Sequence, residues 1–455
     1  MLTFLHETAR QKIKMSFPKV LIIGQPFNNF SGGGITLTNL FKGWPIDKIA
    51  VAYTGHGLYN FTTNVCNNYY QLGKEEHKWL FPFNLVQKEF PSGVKSAEKK
   101  DENPFNTNQT GIRYFVVNKV FYPFLNWIGL FHCFTKILIS ERFKIWLSDF
   151  APDILYLQVT TRDEMGFANG LLDYLKIPSV IHIMDDWPST ISSNGPFKKY
   201  WTNKIDSEFK KLLNRVELHL SISDSMSDEY MRRYKKSFIA FHNPIETSTW
   251  LPNTKTSFIL NKEYIKILYS GRIGIGITDS LHETASAIDS LSNEGINIKF
   301  HIQTPTTNPG ILNQLKKHKC VVINPFAAIE DLPGIFSEAD ILLLANDFSA
   351  QGVDYLKFSM PTKASEYMIS GTPILVYSAE ETAVSKFFNR NECGCCVTKQ
   401  GSKEIIKAIK LLIDNEEFRI KISKNAVLLA KEKFDAKNVR KEFQTLLINL
   451  RNKEK

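Results

Sequence analysis

Asp354-Tyr355-Leu356-Lys357-Phe358-Ser359-Met360-Pro361-Thr362-Lys363-Ala364-Ser365-Glu366-Tyr367-Met368-Ile369-Ser370-Gly371-Thr372-Pro373-Ile374-Leu375-Val376-Tyr377 reads as loop, helix, stop and strand. Pro361 suits a first helical turn, where its fixed φ is helical and its missing N–H is no loss. Residues 362–369 continue the helix, and Gly371 is placed as its left-handed terminator. Pro373 bars a return to helix, and Ile374-Leu375-Val376-Tyr377 has the composition of a buried strand. A helix start of this kind offers free N–H groups and a positive dipole end, which suits phosphate. Lys363 and Glu366 stand three apart and share a face, one fit for a phosphate and the other for a pair of sugar hydroxyls.

Working outward, the chain repeats a strand, glycine loop and helix plan twice. Lys19-Val20-Leu21-Ile22-Ile23-Gly24 is a buried-type strand, followed by a loop over 25–31, Gly32-Gly33-Gly34 and the apolar 35–41. Glycines there let backbone N–H groups approach an anion or a sugar. The Gly-x-Gly-x-x-Gly spacing of a dinucleotide fingerprint and the Gly-Lys-Ser/Thr of a Walker loop are both absent. The second unit is a strand over 265–270, then Gly271-Arg272-Ile273-Gly274-Ile275-Gly276. The helix beyond carries Leu281, Ala285, Ile288 and Leu291 on one face.

Between the two units, strands are predicted over 49–53, 152–157, 177–183, 218–223 and 239–243, with helices over 207–214 and 227–234. The third of these strands exits at Asp185-Asp186-Trp187-Pro188, with His182 three residues before the first acid. Polar groups at the carboxyl end of a parallel strand lie where open α/β sheets bind ligands. Residues 74–110 read as a polar insertion with charged residues at 98–102, and 120–150 as helical. The irregular 247–261 reads as an interdomain linker. Further strands fall at 296–302, 321–323 and 340–344, with a helix over 329–339. Val439, Phe443, Leu446, Leu447 and Leu450 make a clean apolar stripe on a last helix. The implied architecture is α/β, two Rossmann-like doubly wound domains facing across a cleft. An N-terminal domain covers 16–250 and a C-terminal domain 260–430, while a final helix in 431–455 packs back on the first domain.

The 455 residues exceed one typical core, and 43% hydrophobic with 22% charged residues is ordinary for a globular protein. The formal charge of +10 is concentrated late: 421–455 holds ten Lys/Arg against four Asp/Glu, a net of +6. Two readings stand for that end, a solvated helix face or contact with an anionic membrane surface or lipid-linked phosphate. Nucleic acid is disfavoured, because no recognised binding motif accompanies the charge. Six cysteines make no disulfide framework at this length. Cys393, Cys395 and Cys396 lack the second half of a zinc site and read as small buried residues near a strand. A reducing cytoplasm is the simplest compartment. No signal peptide is expected, and 1–14 read as a dispensable extension. Residues 114–139 are the most apolar but carry Lys119, Pro123, Asn126, His132 and Lys136, so they fail as a spanning helix. They read either as a helix packed on its sheet or as an interfacial segment.

Four stretches in order carry a resemblance over most of the chain: Gly32-Gly33-Gly34, Asp185-Asp186-Trp187-Pro188, Gly271-Arg272 and residues 357–376. Together they resemble the GT-B retaining glycosyltransferases of the group 1 (family 4-like) class, of the bacterial polysaccharide-assembly type. The resemblance implies that the second domain binds a nucleotide-sugar donor, with a UDP- or GDP-sugar as co-substrate and neither metal nor other cofactor. It implies that the first domain binds a glycan or lipid-linked acceptor. Carried across, Gly271 and Arg272 meet the donor diphosphate, Pro361, Thr362 and Lys363 present the helix start, and Glu366 accepts from the ribose. Gly32, Gly33 and Gly34 approach from across the cleft, and Asp185 or Asp186 orients the acceptor. His182 reads as a core histidine, with a catalytic base as the other reading.

Two departures from the family pattern stand out. Of the usual two glutamates eight positions apart, only Glu366 is present, with Phe358 at the first position. The usual Lys-Gly after Gly-Arg is replaced by Gly274-Ile275-Gly276. Lys363 is then expected to supply the missing cation, and Asp354 or N–H groups around Gly352 to meet the sugar. The other readings that remain open are a catalytically silent homologue binding a glycan or partner, a GT-B-shaped epimerase and a pyruvyl transferase.

Overall fold

The computed structural model describes residues 17–55, 57–58, 60–81, 83–87, 89–95, 120–191 and 195–452. Its first strand already shows why the fold forms. Val20, Leu21, Ile22 and Ile23 are all fully buried, two pointing into each of the hydrophobic layers that sandwich a sheet. A strand buried on both faces must be apolar throughout, as parallel strands under helices are.

The first sheet draws on β1 (Val20–Gly24), β2 (Ile49–Tyr53), β3 (Asn68–Gln71), β5 (Gly93–Lys95), β7 (Ile154–Leu157), β8 (Ser179–Ile183), β9 (Leu218–Ser221) and β10 (Ile239–Ala240). Its order is β10-β9-β8-β7-β1-β2-β3-β5. All pairs are parallel except β3 with β5, and Ile22 faces Val51 on one side and Tyr156 on the other. A separate antiparallel pair joins β4 (His77–Trp79) to β6 (Thr135–Ile137). The second sheet is parallel, with β11 (Ile265–Ser270), β12 (Ile298–Thr304), β13 (Val321–Pro325), β14 (Ile341–Ala345), β15 (Ile374–Tyr377) and β16 (Cys395–Val397). Its order is β13-β12-β11-β14-β15-β16. Chain direction across the sheet reverses between β1 and β7 in the first and between β11 and β14 in the second. A crevice opens at the carboxyl ends of strands at such points.

Five helices bear on the cleft or on the docking of the two domains: α1 (Gly32–Phe41), α2 (Asp224–Tyr234), α3 (Ala350–Leu356), α4 (Lys363–Ser370) and α5 (Ala436–Asn452). Helix α5 crosses back to the first sheet, where Phe443 and Leu447 join the layer of Leu37, Leu40 and Phe41. The Phe41 and Phe443 rings meet edge to face at 5.1 Å.

The sequence reading needs correction in several places. Gly32, Gly33 and Gly34 are the first turn of α1 and not a loop, because Ser31 caps them, its Oγ accepting from Gly34 N at 3.1 Å. The region expected to be helical over 120–150 holds helices Tyr122–Trp127 and Phe131–Phe134, then β6, then a helix Glu141–Phe150. Gly129, at φ +71°, breaks the first from the second, and pairing with β4 draws 135–137 into a strand. The insertion over 74–110 contains β4 and β5, while its charged residues 98–102 lie outside the described residues, as do 1–16. The strand expected at 239–243 is only Ile239–Ala240, and 329–339 is a 3-10 turn followed by a helix Leu332–Glu338. The linker is tied down: Lys255 N donates to Ser370 O at 2.8 Å and its Nζ to Ser337 O and Ala339 O. Among the described residues no helix is long and apolar enough to cross a membrane.

Candidate functional site

A cleft of about 580 Å³ lies between the two sheets, lined from the first by Gly32, Gly33, Met184 and Asp185. The second contributes Gly271, Arg272, Tyr355, Ser359, Pro361, Thr362, Lys363 and Glu366. Gly32 and Gly33 sit at the start of α1 and Tyr355 on α3, while the others follow the carboxyl end of a strand or sit on α4 or just before it. The topology therefore gathers stretches as distant in the chain as Gly32 and Thr362.

Helix α4 starts two positions later than the sequence suggests. Thr362 is the cap, Lys363 the first helical residue, and Pro361 stands ahead of both, its carbonyl accepting from Ala364 N at 2.9 Å. Gly371 ends the helix at φ +73°, as its position predicts. Lys363 is not a solvated lysine. Its Nζ donates to Ser270 O at 3.1 Å and lies 3.7 Å from the centre of the Tyr269 ring. A side chain on Gly271 would place its Cβ 2.9 Å from that ammonium, and Gly271 sits at φ +150°, so glycine is required twice over. Burial pushes Lys363 down to about 7 and Glu366 up to about 7, each partly offset by the other's charge. An anion arriving in the cleft favours the ammonium and so reverses the first of these shifts.

Arg272 is exposed, and its Nη2 donates to Phe30 O on the opposite wall. Opposite α4, a side chain at Gly34 would displace that of Asn28. A Cβ there would fall 2.2 Å from the Asn28 side chain, whose Oδ1 holds Ser31 N at 2.8 Å. The Asn28 side chain thus fixes the turn that brings α1 to the cleft.

The two adjacent acids separate. Asp185 lines the cleft, where its carboxylate accepts from Ser359 Oγ of the other wall at 2.9 Å. Burial raises its pKa, opposed by that hydrogen bond. Asp186 turns away into the first domain. It accepts from Tyr230 Oη at 2.9 Å, from both terminal nitrogens of Arg233 at 3.0 and 2.9 Å, and from Ser189. At 4% exposure it anchors α2 and does not reach the cleft. His182 also belongs to the sheet, its Nδ1 paired with Tyr156 Oη at 2.6 Å, and burial lowers its pKa to about 3.

Phe358 departs most from expectation. It is 7% exposed and belongs to the hydrophobic layer of the first domain, although it is carried by the second. Arg233 lies 5.4 Å from its ring centre, and Ser223 Oγ donates to its carbonyl at 2.7 Å. The side chain thus plugs one domain into the other and leaves the cleft. Neither suggested substitute takes its place there: Asp354 is exposed on α3 outside the cleft, and Gly352 N is occupied by Ser349 Oγ at 3.1 Å.

Sequence reasoning missed Ser359, Tyr355 and Tyr269. Ser359 was within reach, standing two residues before Pro361 in the most informative stretch. Tyr355, whose pKa is raised by the charge of Asp185 and by burial, and Tyr269, which floors Lys363, carried no separate signal. Among the described residues no group of three His, Cys, Asp or Glu side chains is arranged to hold a metal ion.

No protein-family model matches the chain, and no curated protein matches it. Solved structures do. HepE of Anabaena, crystallised in complex with UDP and glucose, superposes with a TM-score of 0.58 at 12% identity, over 94% of this chain and 99% of that one. Sucrose-phosphate synthase from Thermosynechococcus elongatus gives 0.61 at 12% identity, over 95% and 98%. The lipopolysaccharide outer core galactosyltransferase WaaB gives 0.53 at 12% identity, over 94% and 99%. The likeness spans both sheets and the cleft, and it identifies the fold as GT-B.

Proposed function

We propose that this GT-B chain is a retaining, metal-independent glycosyltransferase that moves a sugar from a nucleoside-diphosphate donor to a glycan or lipid-linked acceptor. The observation that carries the reading is the convergence of Arg272, Lys363, Glu366 and the start of α4 on one cleft. Bond cleavage at the donor leaves negative charge on the diphosphate, and groups already aimed at that charge stabilise the transition state most. The Arg272 fork suits two phosphate oxygens. Lys363, held near neutrality while the cleft is empty, takes up its proton as the diphosphate arrives. Glu366, three residues along the same helix, accepts from the ribose hydroxyls. Asp185, with Ser359, faces the acceptor side. That HepE was crystallised with UDP-glucose supports a UDP-sugar, and the likeness to WaaB, a lipopolysaccharide galactosyltransferase, supports a polysaccharide acceptor. The six free cysteines suit a cytoplasmic site of action.

One observation favours a second reading. With Phe358 buried in the other domain, no second acid of the stretch 354–366 lines the cleft, as a binding protein without turnover would tolerate. Thermal-shift titration with UDP, GDP and ADP, followed by donor hydrolysis, separates the two. Stabilisation by one nucleotide with turnover of its sugar is expected. Absence of turnover with every donor, together with no stabilisation by any nucleotide, favours the silent reading and rejects the transferase.

A further inference from the structure

We propose that an aromatic outcrop of the first domain docks on an anionic lipid bilayer. It is built from the β4–β6 pair, the helix Tyr122–Trp127 and the start of the helix Lys198–Leu213. Phe81 is 79% exposed, Leu85 68%, Phe124 and Trp127 52%, and Phe197 and Tyr200 55%.

The segments that carry these side chains pack on one another. Leu80 N donates to Phe134 O at 3.0 Å, and the Trp79 ring packs edge to face on Tyr122, Phe131 and Phe134. Gly195 lies so close to Trp127 that a Cβ there would strike its carbonyl at 1.8 Å, which brings 197–200 against the end of that helix. Exposed apolar residues scattered singly need no explanation, but a contiguous patch marks a face that meets something.

The charge around the patch selects the occupant. Lys78 and Lys136 stand exposed on the paired strands, and Lys198 and Lys199 beside Phe197 and Tyr200. None of the four is in a salt bridge among the described residues. Lys204 lies 5.5 Å from the centres of the Tyr200 and Trp201 rings, its stem along the aromatic surface. Indole and phenol rings ringed by uncompensated lysines match the boundary between acyl chains and anionic headgroups. The basic C-terminal end, the candidate suggested by composition, is divided among the described residues between the helix Glu416–Lys433 and α5. The outcrop is separate from the donor cleft, so membrane docking and donor binding can fail independently.

The test is sedimentation of the full chain with vesicles of phosphatidylcholine, alone or mixed with phosphatidylglycerol. Binding to the mixed vesicles alone, weakened by salt, is expected. The double variant Lys198→Gln/Lys199→Gln should lower partition about thirtyfold, from about 1 kcal/mol per lysine. Phe81→Ser with Trp127→Ser should lower it at least tenfold, with unchanged circular dichroism and nucleotide binding. Three results overturn the proposal: no binding to mixed vesicles, binding that both variants retain, or self-association of the wild type that Phe81→Ser abolishes. The last would make the occupant a second copy of this chain.

Discussion

Phe358→Ala isolates one of the contacts that hold the two walls of the cleft together. In the docked arrangement the ring is buried in the first domain, and on separation it meets water. Full burial of a phenylalanine is worth about 2–3 kcal/mol, and a guanidinium over the ring adds about 0.5–1. Truncation therefore costs docking about 3 kcal/mol, close to a hundredfold in the docked-to-separated ratio at 1.4 kcal/mol per decade. Arg233 keeps both Asp186 and Glu229, so the first domain's own ion pairs are unaffected. Small-angle X-ray scattering should show a larger radius of gyration for Phe358→Ala. Nucleotide affinity should fall with it, because only the docked fraction presents both walls. Phe358→Leu, which keeps most of the burial, should recover most of both. If the alanine variant matches wild type in both scattering and affinity, Phe358 does not hold the domains together.

Other expectations rest on the same geometry. Lys363→Met should weaken nucleoside-diphosphate binding at least tenfold and leave nucleoside binding unchanged, as titration calorimetry would show. Because the empty-site Lys363 is held at about 7 and a diphosphate raises it, binding above pH 7 takes up protons, and affinity falls as pH rises. Calorimetry in buffers of different ionisation enthalpy reads that uptake, and zero uptake at pH 8 counts against it. Asp186→Asn should destabilise by about 3 kcal/mol in urea unfolding, leaving Arg233 without its best partner, whereas Asp185→Asn should leave stability within about 0.5 kcal/mol and change turnover. His182 and His242, lowered from 6.5 to about 3 and about 4 by burial, remain neutral in the fold while the unfolded chain takes up protons below 6.5. Stability is thus present above that pH and lost in acid, by about 2 kcal/mol per histidine at pH 5. An unfolding midpoint unchanged between pH 7 and 5 would contradict this.

The elements best legible in the sequence were those with one dominant local cause. Strands β1, β11 and β15 are unbroken or nearly unbroken apolar runs, and Gly371 admits no reading but a helix stop. Register between distant segments was not legible. Asp185 and Asp186 are neighbours with the same chemistry, and only the position of Arg233, 47 residues on, decides which one turns inward. Phe358 shows the same limit. The loss of an acid there could be read against the family pattern, but the ring's insertion into the other domain needs two surfaces that no local pattern records. Three successive glycines at 32–34 suit a loop better than a helix, since glycine disfavours helix. The Ser31 cap and the crowding by Asn28 outweigh that preference.

The donor reading stands or falls on a calorimetric titration of wild type and Arg272→Ala with UDP, GDP and ADP, each against its nucleoside monophosphate. One diphosphate should bind in preference to its monophosphate, and Arg272→Ala should lose that preference. Equal affinity for monophosphate and diphosphate, or no binding of any of the three, would contradict it.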